Sequence, residues 1–157
     1  MSVKLGTLLV REGIVTPAQL EEALKIQVLY GGRLGTSLVE LGYLDPDVLA
    51  QCLGRTSGFP PVTTQMLEEA PYETLRLIPA DLASKYECLP FKRENRQLFV
   101  AMVNPADLAA ADALSFKTGL RIKPHVVPES QLHAYLEKRY GVERAERYIR
   151  IKGSAPV

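Results

Sequence analysis

The most constraining feature of this sequence is a gapless tandem repeat near its start. Lys4-Leu5-Gly6 … Leu9 … Gly13 … Leu20 … Leu24 … Gln27 recurs as Arg33-Leu34-Gly35 … Leu38 … Gly42 … Leu49 … Leu53 … Thr56. Each residue of the first copy meets its counterpart 29 positions later, and only Val28–Gly32 separates the copies. A unit this short cannot shelter its own apolar face, so the copies must pack against each other or against a neighbour.

Within each copy the spacing predicts two helices. Leu5, Leu8 and Leu9 in the first copy, and Leu34, Leu38 and Leu41 in the second, recur at three and four residues and form one apolar face. Gly13 and Gly42 stand where a left-handed C-cap ends that first helix. Thr16-Pro17 and Asp45-Pro46 then supply an N-cap oxygen followed by proline at the first helical position. Gln19, three residues after Thr16, completes a capping box. Leu20, Leu24 and Gln27 share a face of the second helix, as do Leu49, Leu53 and Thr56. The expected product is a pair of helical hairpins packed through their leucines.

Gly6 and Gly35 do not fit a purely helical reading, because glycine in a helix costs about 0.5–1 kcal/mol relative to alanine. Their presence implies close approach to the backbone, either by another helix or by a ligand.

The pattern R-L-G-x-x-L-x(3)-G-x(6)-L-x(3)-L-x(2)-Q, twice in tandem across a five-residue spacer, resembles the MshEN domain. That domain is the N-terminal cyclic-di-GMP-binding module of some type II secretion and type IV pilus ATPases. The likeness continues through Leu77-Ile78-Pro79, Tyr86 … Leu89-Pro90, Leu98 … Val100-Ala101-Met102, Asn104-Pro105 … Leu108 and Thr118-Gly119, covering residues 4–140. It implies that leucines pack on the purine faces, that amides near the glycines reach phosphate, and that arginine and glutamine engage guanine. Arginine suits this role because its planar fork matches the O6/N7 edge. Carried over position by position, the implied ligand-binding residues are Lys4, Leu5, Gly6, Leu20, Leu24 and Gln27, then Arg33, Leu34, Gly35, Leu49 and Leu53. Two positions depart from the family. Lys4 keeps the charge of arginine without its fork, and Thr56 replaces the second glutamine with a shorter hydroxyl.

Phe59-Pro60-Pro61 ends the helical pattern. The expected organisation is a helical repeat over 1–58, a small α+β subdomain over 62–140, and a basic tail or linker over 141–157. In the second part, residues 64–70 and 72–77 read as short helix and connection, and residues 79–86 as a helix. Residues 88–92 and 97–102 read as a hairpin across a charged turn. Asn104 is expected to cap a helix running through Phe116, with Thr118-Gly119 closing it. A third strand over 121–127 and a helix over 129–140 follow, giving a sandwich of three strands and three helices. Asp107 is read as a first-turn acid favoured by the helix dipole. His125 and His133 lack clustered acids or thiols in sequence, so no metal site is expected.

Composition narrows the function. A net charge of +1 argues against a nucleic-acid polymer as partner, since phosphate binding needs a basic excess. Cys52 and Cys88 lie far apart without metal or redox spacing and read as buried free thiols. No leader peptide is read at the start, and the longest apolar runs fall far short of a membrane helix. The chain has no G-x(4)-G-K-[ST] loop, no Gly-x-Ser-x-Gly and no Cys-x-x-Cys, so it is not expected to be an enzyme and no cofactor is expected. Two functions are carried forward: a cyclic-di-GMP receptor, and an adaptor that docks a secretion or pilus ATPase core onto the cytoplasmic domain of an inner-membrane platform protein. Either places the chain in the cytoplasm, at the inner membrane through a partner.

Overall fold

A computed structural model describes residues 2–142, with side chains from residue 5 onward. The side chain of Lys4 and nearly all of the expected basic tail lie outside the described residues. Four helices form the repeat: α1 (Ser2–Arg11), α2 (Pro17–Tyr30), α3 (Leu34–Glu40) and α4 (Pro46–Ser57). Their ends follow the expected chemistry. Thr16 and Gln19 exchange the two bonds of a capping box, and the Asp45 carboxylate accepts from the amides of Asp47 and Val48. Gly13 and Gly42 take φ of 71° and 81°. Beside them, Ile14 N–H donates to Leu9 C=O at 2.9 Å and Tyr43 N–H to Leu38 C=O at 3.0 Å. These bonds make the same Schellman turn in both copies.

The arrangement of the four helices differs from two self-contained hairpins. The backbones approach mainly between copies, α2 against α3 and α1 against α4. Helices α1 and α3 are short and lie together at the centre, and Leu9 and Leu38 are fully buried there. Each such leucine contributes about 1.5–3 kcal/mol of burial. Contact within each copy is made through leucines seated on glycines, as described below.

The remaining chain contains α5 (Thr64–Glu68), α6 (Tyr72–Leu75), α7 (Ala80–Lys85), β1 (Cys88–Glu94), β2 (Gln97–Met102), α8 (Leu108–Thr118), β3 (Arg121–Val126) and α9 (Glu129–Tyr140). The sheet order is β1-β2-β3; β1 and β2 are antiparallel, and β2 and β3 are parallel with α8 as the crossover. The fold is therefore α+β; besides the three expected helices, α5 falls within the short helix expected over 64–70, and α6 stands where a connection was expected. Helices α5 and α6, of five and four residues, are too short to show an apolar period in sequence. The hairpin turn is also tighter than expected, since β1 runs on to Glu94 and Asn95 makes the turn at φ 56°. A bulge between Pro90 and Lys92 sits on β1, an edge strand, where proline's missing N–H is tolerated.

Two apolar clusters result. One centres on Leu9, Leu34, Leu38 and Leu49, and the other on Leu67, Ile78, Leu89, Leu98, Met102, Leu114 and Leu132. The Phe59–Val62 segment joins them closely. Val126 N–H donates to Pro60 C=O at 2.8 Å and Val62 N–H to Val126 C=O at 2.9 Å, so the connection straddles Pro61 and extends the edge of β3. Asp47 of α4 also accepts from both the amide and hydroxyl of Thr64, each at 2.8 Å.

Candidate functional site

The second copy of the repeat and the α+β part enclose a cleft of about 280 Å³. Leu5, Leu34, Leu49 and Leu53 give it an apolar wall, with Gly35 and Phe59 beside them. Val103, Pro105, Val126, Val127 and Pro128 line the opposite side. Polar groups are few and convergent, the usual composition of a small-molecule site. Arg33 donates from its guanidinium to the Asn104 side-chain oxygen, and buried Thr36 donates to Glu129 Oε1 at 2.8 Å. Both bonds cross the cleft, so the same groups that furnish the site also fasten its two walls. Arg33 precedes α3 in an extended conformation and provides no side-chain cap. The amides of Leu34, Gly35 and Thr36 consequently have no acceptor within their own helix.

Six of the eleven residues singled out from the sequence meet in this cleft: Leu5, Arg33, Leu34, Gly35, Leu49 and Leu53. Gly6, Leu20, Leu24 and Gln27 do not line it. Gly6 lies under Leu20, whose Cδ1 and Cδ2 are 3.3 and 3.4 Å from where a Cβ would stand, and the next residue is Leu34, with Cδ2 at 3.5 Å. Gly35 lies under Leu49 in the same way, but closer, at 2.9 Å. The close approach implied by both glycines is thus made by a leucine side chain of the following helix. Leu34 reaches both the cleft and the Gly6 face, which makes the two faces contiguous. Leu24 is 41% exposed, and Gln27 Nε2 donates to Gly32 C=O at 3.1 Å. Thr56 lines the cleft, its hydroxyl donating to Leu53 C=O at 3.3 Å.

The opposite wall was only partly legible. Asn104 does not cap a helix: its carbonyl accepts from Asp107 N–H, and Asp107 is the N-cap of α8, accepting from Ala110 N–H at 3.1 Å. A turn therefore precedes the helix, and the Asn104 side chain is left to meet Arg33. The signal was present in the Asn-Pro-Ala-Asp run, since asparagine before proline favours a turn and aspartate is an equally good cap. Nothing local marks Thr36 or Glu129 as partners 93 residues apart.

Titratable groups elsewhere are held structurally. His125 lies between the Phe91 and Phe99 rings, at 5.2 and 5.7 Å between centroids, and burial lowers its pKa. His133, for which the sequence offered no acid, pairs with Glu87 at 2.8 Å across the fold. Burial pushes the Cys88 thiol up to about 12 and raises that of Cys52, and both cysteines are free.

With this geometry established, likenesses to known proteins can be placed on it. The family model described as the MshEN domain matches residues 61–146, more than half of the chain. The type IV pilus assembly ATPase PilB of Myxococcus xanthus (strain DK1622) is 34% identical over 140 residues, covering 89% of this chain and 25% of that protein. Bacteriophage adsorption protein B of Escherichia coli (strain K12) is 30% identical over 151 residues, covering 92% of this chain and 20% of that protein. The chain thus spans a quarter or less of these relatives. A solved structure of MshE with cyclic-di-GMP superposes with a TM-score of 0.60 at 34% identity, covering 87% of this chain and 98% of that one.

Proposed function

Because this chain belongs to the MshEN domain family, we propose that it is a non-catalytic receptor domain for cyclic-di-GMP, acting on a secretion or pilus ATPase. The observation that carries this reading is the convergence of Leu5, Arg33, Leu34, Gly35, Leu49 and Leu53 on one cleft. At about 280 Å³ the cleft is at the small end of ligand sites, roughly 300–1,000 Å³. It suits one guanine half of the ligand. Leucines take the purine face, and the Arg33 fork meets the O6/N7 edge after exchanging its bond to Asn104. In this pose a phosphate oxygen accepts from the amides at the start of α3. The second half lies over Leu20, Leu24 and Gln27, reached past Leu34, where the exposed Leu24 gains cover. In sequence, Lys4 is the first-copy counterpart of Arg33.

Binding in this pose couples to the rest of the molecule. Arg33–Asn104 and Thr36–Glu129 hold the cleft walls together, so a ligand that recruits Arg33 alters the fastening between them. The partner that senses this change is the ATPase core or the cytoplasmic domain of an inner-membrane platform protein. On this reading the chain acts in the cytoplasm, beside the inner membrane.

A calorimetric titration with cyclic-di-GMP, using GTP and cyclic-di-AMP as controls, tests the reading. Saturable, guanine-selective binding is expected, and Arg33→Ala is expected to abolish it while leaving the thermal melt in place. Unchanged affinity in that variant refutes the pose. Silence from the unaltered chain favours the second reading, a docking adaptor without ligand. The specific observation behind that alternative is the exposed apolar end of α2, where Val28 is 85% and Leu29 72% exposed.

A further inference from the structure

The end of the sheet away from the cleft carries a feature that the receptor reading does not use. The β1–β2 turn brings Arg93 and Arg96 to the tip, and Arg121 N–H donates to Arg96 C=O at 2.8 Å, so β3 starts beside them. Lys117, in the last turn of α8, precedes Gly119, which borders the same groove as Arg96 and Arg121. All four cations are exposed, and none has an ion pair among the described residues. The carboxylates nearby are Glu94, already bonded to Lys92 at 3.0 Å, Glu73, which borders the adjoining groove with Lys92 and Arg93, and the exposed Asp112, one helical turn before Phe116 on the same face of α8. Five cations against three carboxylates leave the tip with a basic excess, while the chain as a whole is only +1. The rest of the chain is therefore net acidic.

Strand pairing does not account for this arrangement, since Arg93 lies opposite Leu98 and Arg121 opposite Gln97, and neither has a charged cross-strand partner. One residue before Lys117, and within one helical turn of Gly119, Phe116 is 93% exposed, the most exposed of the large apolar side chains. Exposed cations at the end of the sheet, with a bare aromatic ring in the last turn of the adjoining helix, match an anionic lipid surface. Cations meet headgroup charge, and the ring enters the interface. An acidic protein would satisfy the arginines but would leave the lone ring without an assigned pocket. No described helix is long and apolar enough to cross a membrane, so such contact is adsorption at headgroup level.

We propose that this tip, formed by Arg93, Arg96, Lys117, Arg121 and Phe116, is a docking surface for anionic phospholipid. It lies apart from the cleft and does not depend on ligand binding there. The test is co-sedimentation of the full chain, without nucleotide, with vesicles of phosphatidylcholine or of phosphatidylcholine containing roughly one-third phosphatidylglycerol. Binding is expected to the anionic vesicles alone and to fall steeply with added salt. The Arg93→Glu/Arg96→Glu/Arg121→Glu variant is expected to lose about tenfold or more of that binding, and Phe116→Ser a comparable share. These are exposed positions, and an unchanged circular dichroism melt shows that the fold is retained. No binding to anionic vesicles overturns the proposal, as does full binding by the triple variant. Capture by a polyglutamate peptide without capture by vesicles also overturns it, and assigns the tip to an acidic protein.

Discussion

Gly6 and Gly35 hold equivalent places in the two copies, yet their neighbours differ in how much they can yield. A Cβ on Gly35 would stand 2.9 Å from Leu49, which is 1% exposed and packed in the first apolar cluster. A Cβ on Gly6 would stand 3.3 Å from Leu20, which is half-buried and free to shift. Alanine gains about 0.5–1 kcal/mol of helix propensity at either site. Overpacking a fixed core costs about 1–3 kcal/mol. Gly35→Ala is therefore expected to lower stability by about 1–2 kcal/mol, while Gly6→Ala is neutral or slightly stabilising. Urea unfolding midpoints decide this, and equal effects at the two sites would show that Leu49 is not the constraint.

Helix α5 shows how an element with little stability of its own is held. Its five residues are too few for independent helix formation, which needs a dozen or more. Thr63 caps the start, accepting from Met66 N–H at 3.3 Å. At the other end Arg139 of α9 donates to the carbonyls of Leu67 at 2.8 Å, Glu68 at 2.9 Å and Ala70 at 2.8 Å. A cation at these carbonyls also opposes the negative end of the helix dipole. Arg139→Ala is expected to cost about 2 kcal/mol and to lose amide-exchange protection first in residues 64–70. Uniform loss of protection across the sheet would place Arg139's role elsewhere. In sequence, Arg139 is one of several charges on the last helix, and no local pattern separates it from Lys138.

At the scale of the molecule, each apolar cluster contains one free cysteine, Cys52 in the first and Cys88 in the second. Burial raises both thiols, Cys88 to about 12, so neither supplies the reactive thiolate while its cluster is closed. Alkylation of each cysteine at rising urea then reports the opening of its own cluster. The Pro60–Val126–Val62 bonds, Asp47–Thr64, Thr36–Glu129 and Arg33–Asn104 join the two parts at separate points. Both cysteines are accordingly expected to become reactive over one urea range, read by mass spectrometry of the labelled peptides. Reaction of Cys52 well before Cys88 would show that the helical part opens alone.

The chain's own sequence determined whatever depends on near neighbours. The repeat, the Schellman turns at Gly13 and Gly42, the caps at Thr16 and Asp45 and the helix over Glu129–Tyr140 all rest on residues a few positions apart. The leucines and Arg33 of the second copy were singled out by the resemblance of the repeat to the family's motif, and the structure brings them to one cleft. Tertiary structure alone decided which copy faces the cleft, because Phe59–Val62 pairs onto β3 and turns the second copy toward the α+β wall. It also decided that Asn104 meets Arg33 and that His133 meets Glu87. These partners are separated by 71 and 46 residues, and such contacts exist only once the chain is closed by burial of its two apolar clusters.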